Sequence, residues 1–121
     1  MPIKIYEYSN CSTCKNALKF AEARGVKYEK LPIVDQPPTV AELKTMLGHL
    51  REQGFDFKKL FNTSGVQYRE LGISEKIKAG MTEAEALKLL STNGKLIKRP
   101  FLLTAKGGTV GFDAKTWGAL L

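Results

Sequence analysis

Within its first 35 residues the chain changes hydrophobic period twice, and this limits the folds open to it more than any other feature. Ile3 and Ile5 alternate with Lys4 and Tyr6, which predicts a short strand over Ile3 to Tyr8 ending at Ser9-Asn10. From Cys11 the period becomes helical: Cys14, Ala17, Leu18 and Ala21 fall at i, i+3, i+4 and i+7, one stripe of a helix that stops near Arg24-Gly25. Val26 to Val34 predicts a second extended run. Strand, helix and strand in so short a span form a βαβ unit, whose two strands lie parallel.

Pro37-Pro38 ends that unit, because proline neither donates to a ladder nor continues a helix. Thr39-Val40-Ala41-Glu42 and Thr82-Glu83-Ala84-Glu85 are capping boxes, each opening a helix of apolar residues at helical spacing. Between those helices, Phe57 to Phe61 predicts a helical turn, Asn62 to Gly65 a loop, and Tyr68 to Leu71 and Ser74 to Ala79 brief helices. Residues from about 37 to 94 therefore form a helical insertion. Phe101 to Thr104 and Thr109 to Phe112 predict a hairpin turning at Lys106 to Thr109, and Asp113 caps a last helix through Trp117 to Leu121. No repeat or linker divides residues 1–121, so the expectation is one α/β domain with the insertion on one side of a single mixed sheet.

A chain of 121 residues, 43% hydrophobic and 26% charged, has enough apolar surface for one core, which excludes wholesale disorder. No apolar run approaches the roughly 20 residues of a membrane helix. Met1-Pro2-Ile3-Lys4 lacks the pattern of a secretion signal, so the expected location is the cytoplasm. The 19 lysines and arginines outnumber 12 acids, for a net charge of +7 that attracts anions. Those cations are dispersed and accompany no nucleic-acid-binding signature, so direct nucleic-acid binding is not expected.

The only two cysteines are Cys11 and Cys14 of Cys11-Ser12-Thr13-Cys14. A helix N-terminus offers unpaired amides and the positive end of the helix dipole, so this position favours a thiolate at Cys11. Cys14 lies about one turn further in, on the apolar stripe, where it is more buried and close enough to resolve a mixed disulfide on Cys11. A structural disulfide would close a tiny loop, and zinc needs about four ligands where the chain adds only His49 and carboxylates. Two inert core cysteines remain the alternative. Near the other end, Pro100 is a candidate for a cis bond, and Arg99 either holds an oxyanion, supports the Cys11 thiolate, or is an ordinary surface arginine. Lys15 adds positive charge beside Cys14, with the same plain alternative, and His49 reads as a surface or partly packed residue.

Cys11-Ser12-Thr13-Cys14-Lys15 together with Arg99-Pro100-Phe101 resembles the arsenate reductase/Spx family of the thioredoxin-like superfamily, over essentially the whole chain. Asn62-Thr63-Ser64-Gly65, Tyr68-Arg69-Glu70-Leu71 and Leu96 to Pro100 resemble its Spx/MgsR-like branch. The resemblance implies a thioredoxin-like four-stranded mixed sheet (βαβ, insertion, ββα) with Pro100 cis beside the active site. In the glutaredoxin-dependent arsenate reductases of the family, a lone cysteine at the position of Cys11 attacks arsenate among several arginines. Here Arg99 matches, Lys15 stands where an arginine would, the middle loop holds no basic residue, and Cys14 is an added thiol. Lysine does not reproduce an arginine fork on an oxyanion, so a dithiol/disulfide cycle fits both cysteines better. It would need no bound cofactor or metal, with electrons from glutathione, glutaredoxin or thioredoxin and with thiol or disulfide proteins as partners. The Spx-like regulators imply a different role, in which the same cysteine pair is an oxidation switch on a protein that binds the C-terminal domain of RNA polymerase α.

Overall fold

Strand, helix and strand stand at the start of the chain as the two changes of period require. The computed structural model describes residues 3–121. Strand β1 (Lys4–Glu7) runs into helix α1 (Ser12–Ala23), and β2 (Glu29–Pro32) lies parallel to β1. Helices α2 (Val40–Glu52), α3 (Val66–Glu70), α4 (Ile73–Lys78) and α5 (Glu83–Thr92) form the insertion, with short 3-10 turns at Phe57–Leu60 and Gly94–Leu96. The hairpin of β3 (Phe101–Thr104) and β4 (Gly107–Val110) and helix α6 (Ala114–Leu120) complete the order. The sheet runs β2-β1-β3-β4, with β3 antiparallel to both of its neighbours. This is the expected mixed four-stranded α/β arrangement.

The register explains how both faces of the sheet are covered. Ile5 pairs with Leu102 and Tyr6 with Phe101, and alternation along a strand sends these pairs to opposite faces. Ile5 and Leu102 pack with Ala17 and Ala21 of α1 and Trp117 of α6. Tyr6, Phe101 and Leu103 pack with Leu43, Met46, Leu47 and Leu50 of α2 and Leu87 and Leu90 of α5. The insertion thus covers one face, and α1 and α6 cover the other. All of these side chains are buried, each contributing roughly 1.5–3 kcal/mol if it is one of the larger apolar types.

Both capping boxes form, with Thr39 accepting from the Glu42 amide and Thr82 from the Glu85 amide. Glu42 does more than cap. Its Oε1 accepts from the Tyr6 hydroxyl at 2.7 Å, and its Oε2 accepts from Lys4 Nζ at 3.1 Å. One carboxylate therefore ties the start of the insertion to the central strand. Arg51 of α2 and Glu83 of α5 form an ion pair that ties the two longest helices of the insertion together.

Three boundaries differ from the sequence expectation. The extended run of Val26 to Val34 narrows to β2, because Val26 and Tyr28 pack into the α1/α6 core ahead of the strand. Pro32 closes it on the sheet edge, where no further strand needs its missing N–H. Arg24 is the C-cap of α1 rather than a member of its last turn. The hairpin turns at Ala105-Lys106, not across Lys106 to Thr109, since Thr104 pairs with Gly107 and Phe101 with Val110. Gly107 and Gly108 are strand residues that look like turn residues. A Cβ on Gly108 would stand 3.0 Å from Leu102 O and from Met46 Sδ, and Gly107 has φ +151° with Leu120 pressed against it. Helices on both sides of β4 leave no room for side chains there.

Candidate active site

Cys11 sits between strand and helix as the N-cap of α1, with extended backbone (φ −112°, ψ 111°). Its Sγ occupies the place a serine or aspartate oxygen normally takes, and accepts a hydrogen bond from the Cys14 amide at 3.2 Å. The Cys11 amide in turn donates to Tyr8 O at 3.1 Å, which holds the turn between β1 and α1. Both cysteines are free thiols; Cys11 is partly exposed and Cys14 is 1% exposed. The Cys14 thiol is pushed up to about 12, first by burial and next by its hydrogen bond to Cys11; a Tyr8 backbone hydrogen bond opposes this, the Cys11 charge adds to it, and Arg99 again opposes it. The two sulfurs thus differ in access, although they stand within one turn of one helix.

The rest of the site arrives from two distant segments stitched together. Asn62 N donates to Leu96 O and Lys98 N to Leu60 O, each at 2.7 Å, around an antiparallel bridge of Phe61 with Ile97. This stitch brings the loop Asn62 to Gly65 alongside Lys98 and Arg99, in front of Cys11. A cleft of about 430 Å³ results, lined by Cys11, Thr13, Asn62, Ser64, Lys98 and Arg99 among others. Through a wall of Asn62, Gly65, Val66 and Arg99 it adjoins a second cleft of about 390 Å³ that contains Tyr8, Gln67, Glu70 and Lys95. The Arg99 guanidinium lies over the Tyr8 ring, 4.5 Å from its centroid. The Arg99–Pro100 bond is cis; Pro100 is buried, and its carbonyl accepts from Gly111 N at 2.8 Å.

Cys11 and Arg99 therefore share one cleft, Arg99 is near enough to act on the Cys14 thiol, and Pro100 follows Arg99 directly. Cys14 and Lys15 line a separate groove with Glu7, Ser9 and Lys30, so Lys15 does not join Cys11 and Arg99 in the cleft. His49 is partly buried on α2 near Gly107. Asn62, Ser64 and Lys98 lie in segments that the family resemblance marked, but none of them, nor Lys95, was expected as a site residue. Lys95 and Lys98 beside Arg99 were the available signal, and nothing local announced the stitch that brings Asn62 to them. Among the described residues no group of three or more His, Cys, Asp or Glu side chains could hold a metal. No helix there is long and apolar enough to cross a membrane.

Relatives match this chain along nearly its whole length. An ArsC-family-related protein from Bacteroides fragilis, known from its crystal structure, is 43% identical with a TM-score of 0.87, covering 100% of this chain and 98% of that one. The uncharacterized protein YusI of Bacillus subtilis is 43% identical over 112 residues, 93% of this chain and 92% of that protein. At lower identity, regulators and arsenate reductases are among the relatives. The regulatory protein MgsR of Bacillus subtilis is 26% identical over 92% of this chain and 83% of its own length. An arsenate reductase of Neisseria meningitidis is 27% identical over 98% of this chain and 97% of its own length. The ArsC family profile matches residues 6–120, and the chain belongs to the ArsC family.

Proposed function

We propose that this protein is a thiol–disulfide oxidoreductase in which Cys11 is the nucleophile and Cys14 the resolving thiol. The observation that carries the reading is the hydrogen bond from the Cys14 amide to Cys11 Sγ, with a second, buried thiol at the same turn. The Cys11 thiolate attacks one sulfur of a substrate disulfide, forming a mixed disulfide and expelling the other sulfur as a thiolate. Cys14 then passes its proton to solvent and attacks Cys11 Sγ, leaving a Cys11–Cys14 disulfide and expelling the second substrate sulfur as a thiolate that takes a proton from solvent. Burial is the main reason Cys14 keeps its proton; the hydrogen bond and charge of a free Cys11 sulfur add to it, and the mixed disulfide removes that added part.

Arg99 supports the site from the Tyr8 face, Pro100 shapes the groove beside it, and Lys15 contributes charge from behind Cys14. No bound cofactor enters the cycle. Two electrons return to the Cys11–Cys14 disulfide from glutathione, glutaredoxin or thioredoxin. A Cys14→Ser variant accumulates mixed disulfides through Cys11 when incubated with cell extract under mild oxidation, and Cys11→Ser traps none. Failure of Cys14→Ser to capture any thiol partner refutes the reading.

Two other readings have specific support. The similarity to MgsR favours a redox-gated regulator, tested by pull-down with the C-terminal domain of RNA polymerase α in reduced and oxidised states; no binding in either state removes it. Family membership and the similarity to an arsenate reductase favour arsenate reduction with Arg99 on the oxyanion. Arg99 is the one arginine lining the two clefts, a sparse grip for a tetrahedral anion. Absence of arsenite from a glutathione- and glutaredoxin-supplied assay removes that reading.

A further inference from the structure

Lys95, Lys98 and Arg99 line the two clefts beside Cys11, and none of them forms an ion pair with a described residue. Arg99 stands on the wall common to both, anchored but not neutralised by the Tyr8 ring. Against these three cations the two clefts hold one carboxylate, the exposed Glu70. Beyond Tyr8, the next hollow sets Glu7 and Asp35 against Lys95, and Glu7 is already paired with Lys30 at 4.0 Å. The excess of positive charge without an acidic partner is therefore greatest in the two clefts beside Cys11.

Its size and lining suit a stretch of chain better than an isolated ion. Clefts of about 430 and 390 Å³, side by side, hold several side chains rather than one. The wall common to both carries Val66, 57% exposed, an apolar contact that a small oxyanion does not use. A partner with an apolar side chain and a carboxylate near its reactive sulfur fills both clefts and meets complementary groups in each.

The geometry points to an acidic-segment subsite: the cleft of Tyr8, Lys95 and Arg99 binds a carboxylate of a polypeptide whose disulfide is presented to Cys11. This rests on the dithiol reading above and narrows its substrate class. The exchange remains balanced as described, with one substrate disulfide reduced to two thiols and the protein dithiol oxidised to Cys11–Cys14. The subsite chooses which disulfide arrives and takes no part in electron transfer.

The test uses reduced protein and a set of short symmetric peptide disulfides with Glu or Gln at successive positions around the cysteine, plus oxidised glutathione. Formation of the Cys11–Cys14 disulfide is followed at low and high salt. At the preferred position Glu raises the second-order rate about tenfold over Gln at low salt, and the preference shrinks at high salt. Lys95→Gln brings the Glu-to-Gln ratio below about twofold, since its cation no longer distinguishes the two side chains. Equal rates for Glu and Gln at every position, with exchange still dependent on Cys11, overturn the subsite and leave the dithiol reading standing. Absence of exchange with every disulfide overturns both. Oxidised glutathione reacting as fast as the best peptide, and slowed equally by Lys95→Gln, assigns the carboxylate to a small thiol and overturns the polypeptide assignment.

Discussion

Replacing Cys11 by alanine separates the influences that keep the proton on Cys14. The Cys14 thiol is raised from an ordinary 9.0 to about 12, by burial first and then by the Cys11 hydrogen bond. At pH 8 a thiol at 9.0 is about one-tenth ionised, and one near 12 is about a thousandfold less so. Only the thiolate alkylates, but the thiolate of a more basic thiol is the better nucleophile, so ionisation alone should make iodoacetamide modify Cys14 roughly thirtyfold more slowly in the native protein than in urea. The 1% exposure of the side chain slows it further. Quenched alkylation read by peptide mass spectrometry, from pH 7 to 10, measures both cysteines in one experiment. In Cys11→Ala the sulfur acceptor and its charge are gone while burial stays. Cys14 should then react about tenfold faster than in the wild type, yet remain well below its rate in urea. Native Cys14 reacting within tenfold of the unfolded chain, with Cys11 present, would refute the ordered attack and resolution described above.

Three further outcomes test the frame around the site. Tyr6→Phe removes the buried hydroxyl that donates to Glu42 and should cost about 1.5–2 kcal/mol in urea denaturation at pH 7, as for a hydrogen bond to a charged group. Burial alone would raise the Glu42 carboxyl, but hydrogen bonds from Tyr6, Thr39 and Lys4 outweigh it and hold the group below its ordinary value. That stabilisation is present above the unfolded-state value and is lost as pH falls through the folded one, so the Tyr6→Phe deficit should shrink in acid. Gly94→Ala should cost about 3 kcal/mol by the same measurement, since its Cβ collides with Ile33 O and backbone must move. Trp117→Phe loses the indole hydrogen bond to Gly111 O, 3.0 Å in the folded chain, together with buried area, and should cost about 2 kcal/mol.

Local signals carried most of the architecture. Thr39 with Glu42 and Thr82 with Glu85 mark helix starts because the capping chemistry is complete within four residues. Cys11 as the first residue before a helical stripe is legible for the same reason. Gly107-Gly108 misled because a glycine pair satisfies a turn and a clamped strand equally, and only the helices on either side of β4 decide between them. The cleft was half visible. Cys11 and Cys14 stand out by type and spacing and Arg99 by the family resemblance, whereas Asn62 and Lys98 join the site through hydrogen bonds between segments over 30 residues apart. Lys15 follows Cys14 directly and lines the same groove as it, rather than the cleft that Cys11 shares with Arg99.

The stitch between Leu60–Asn62 and Leu96–Lys98, with the Glu42 tie at the other end, makes the intervening stretch a closed handle fixed at both roots. One side of the cavity, bearing the sulfur, is bolted to the sheet; the facing side belongs to the handle. Residues 63 to 66 can therefore be exchanged to alter what is admitted without displacing Cys11. A scaffold of this kind allows a single reactive centre to be retargeted by editing one loop, and grafting residues 62–66 between two such chains is a direct way to move selectivity from one to the other.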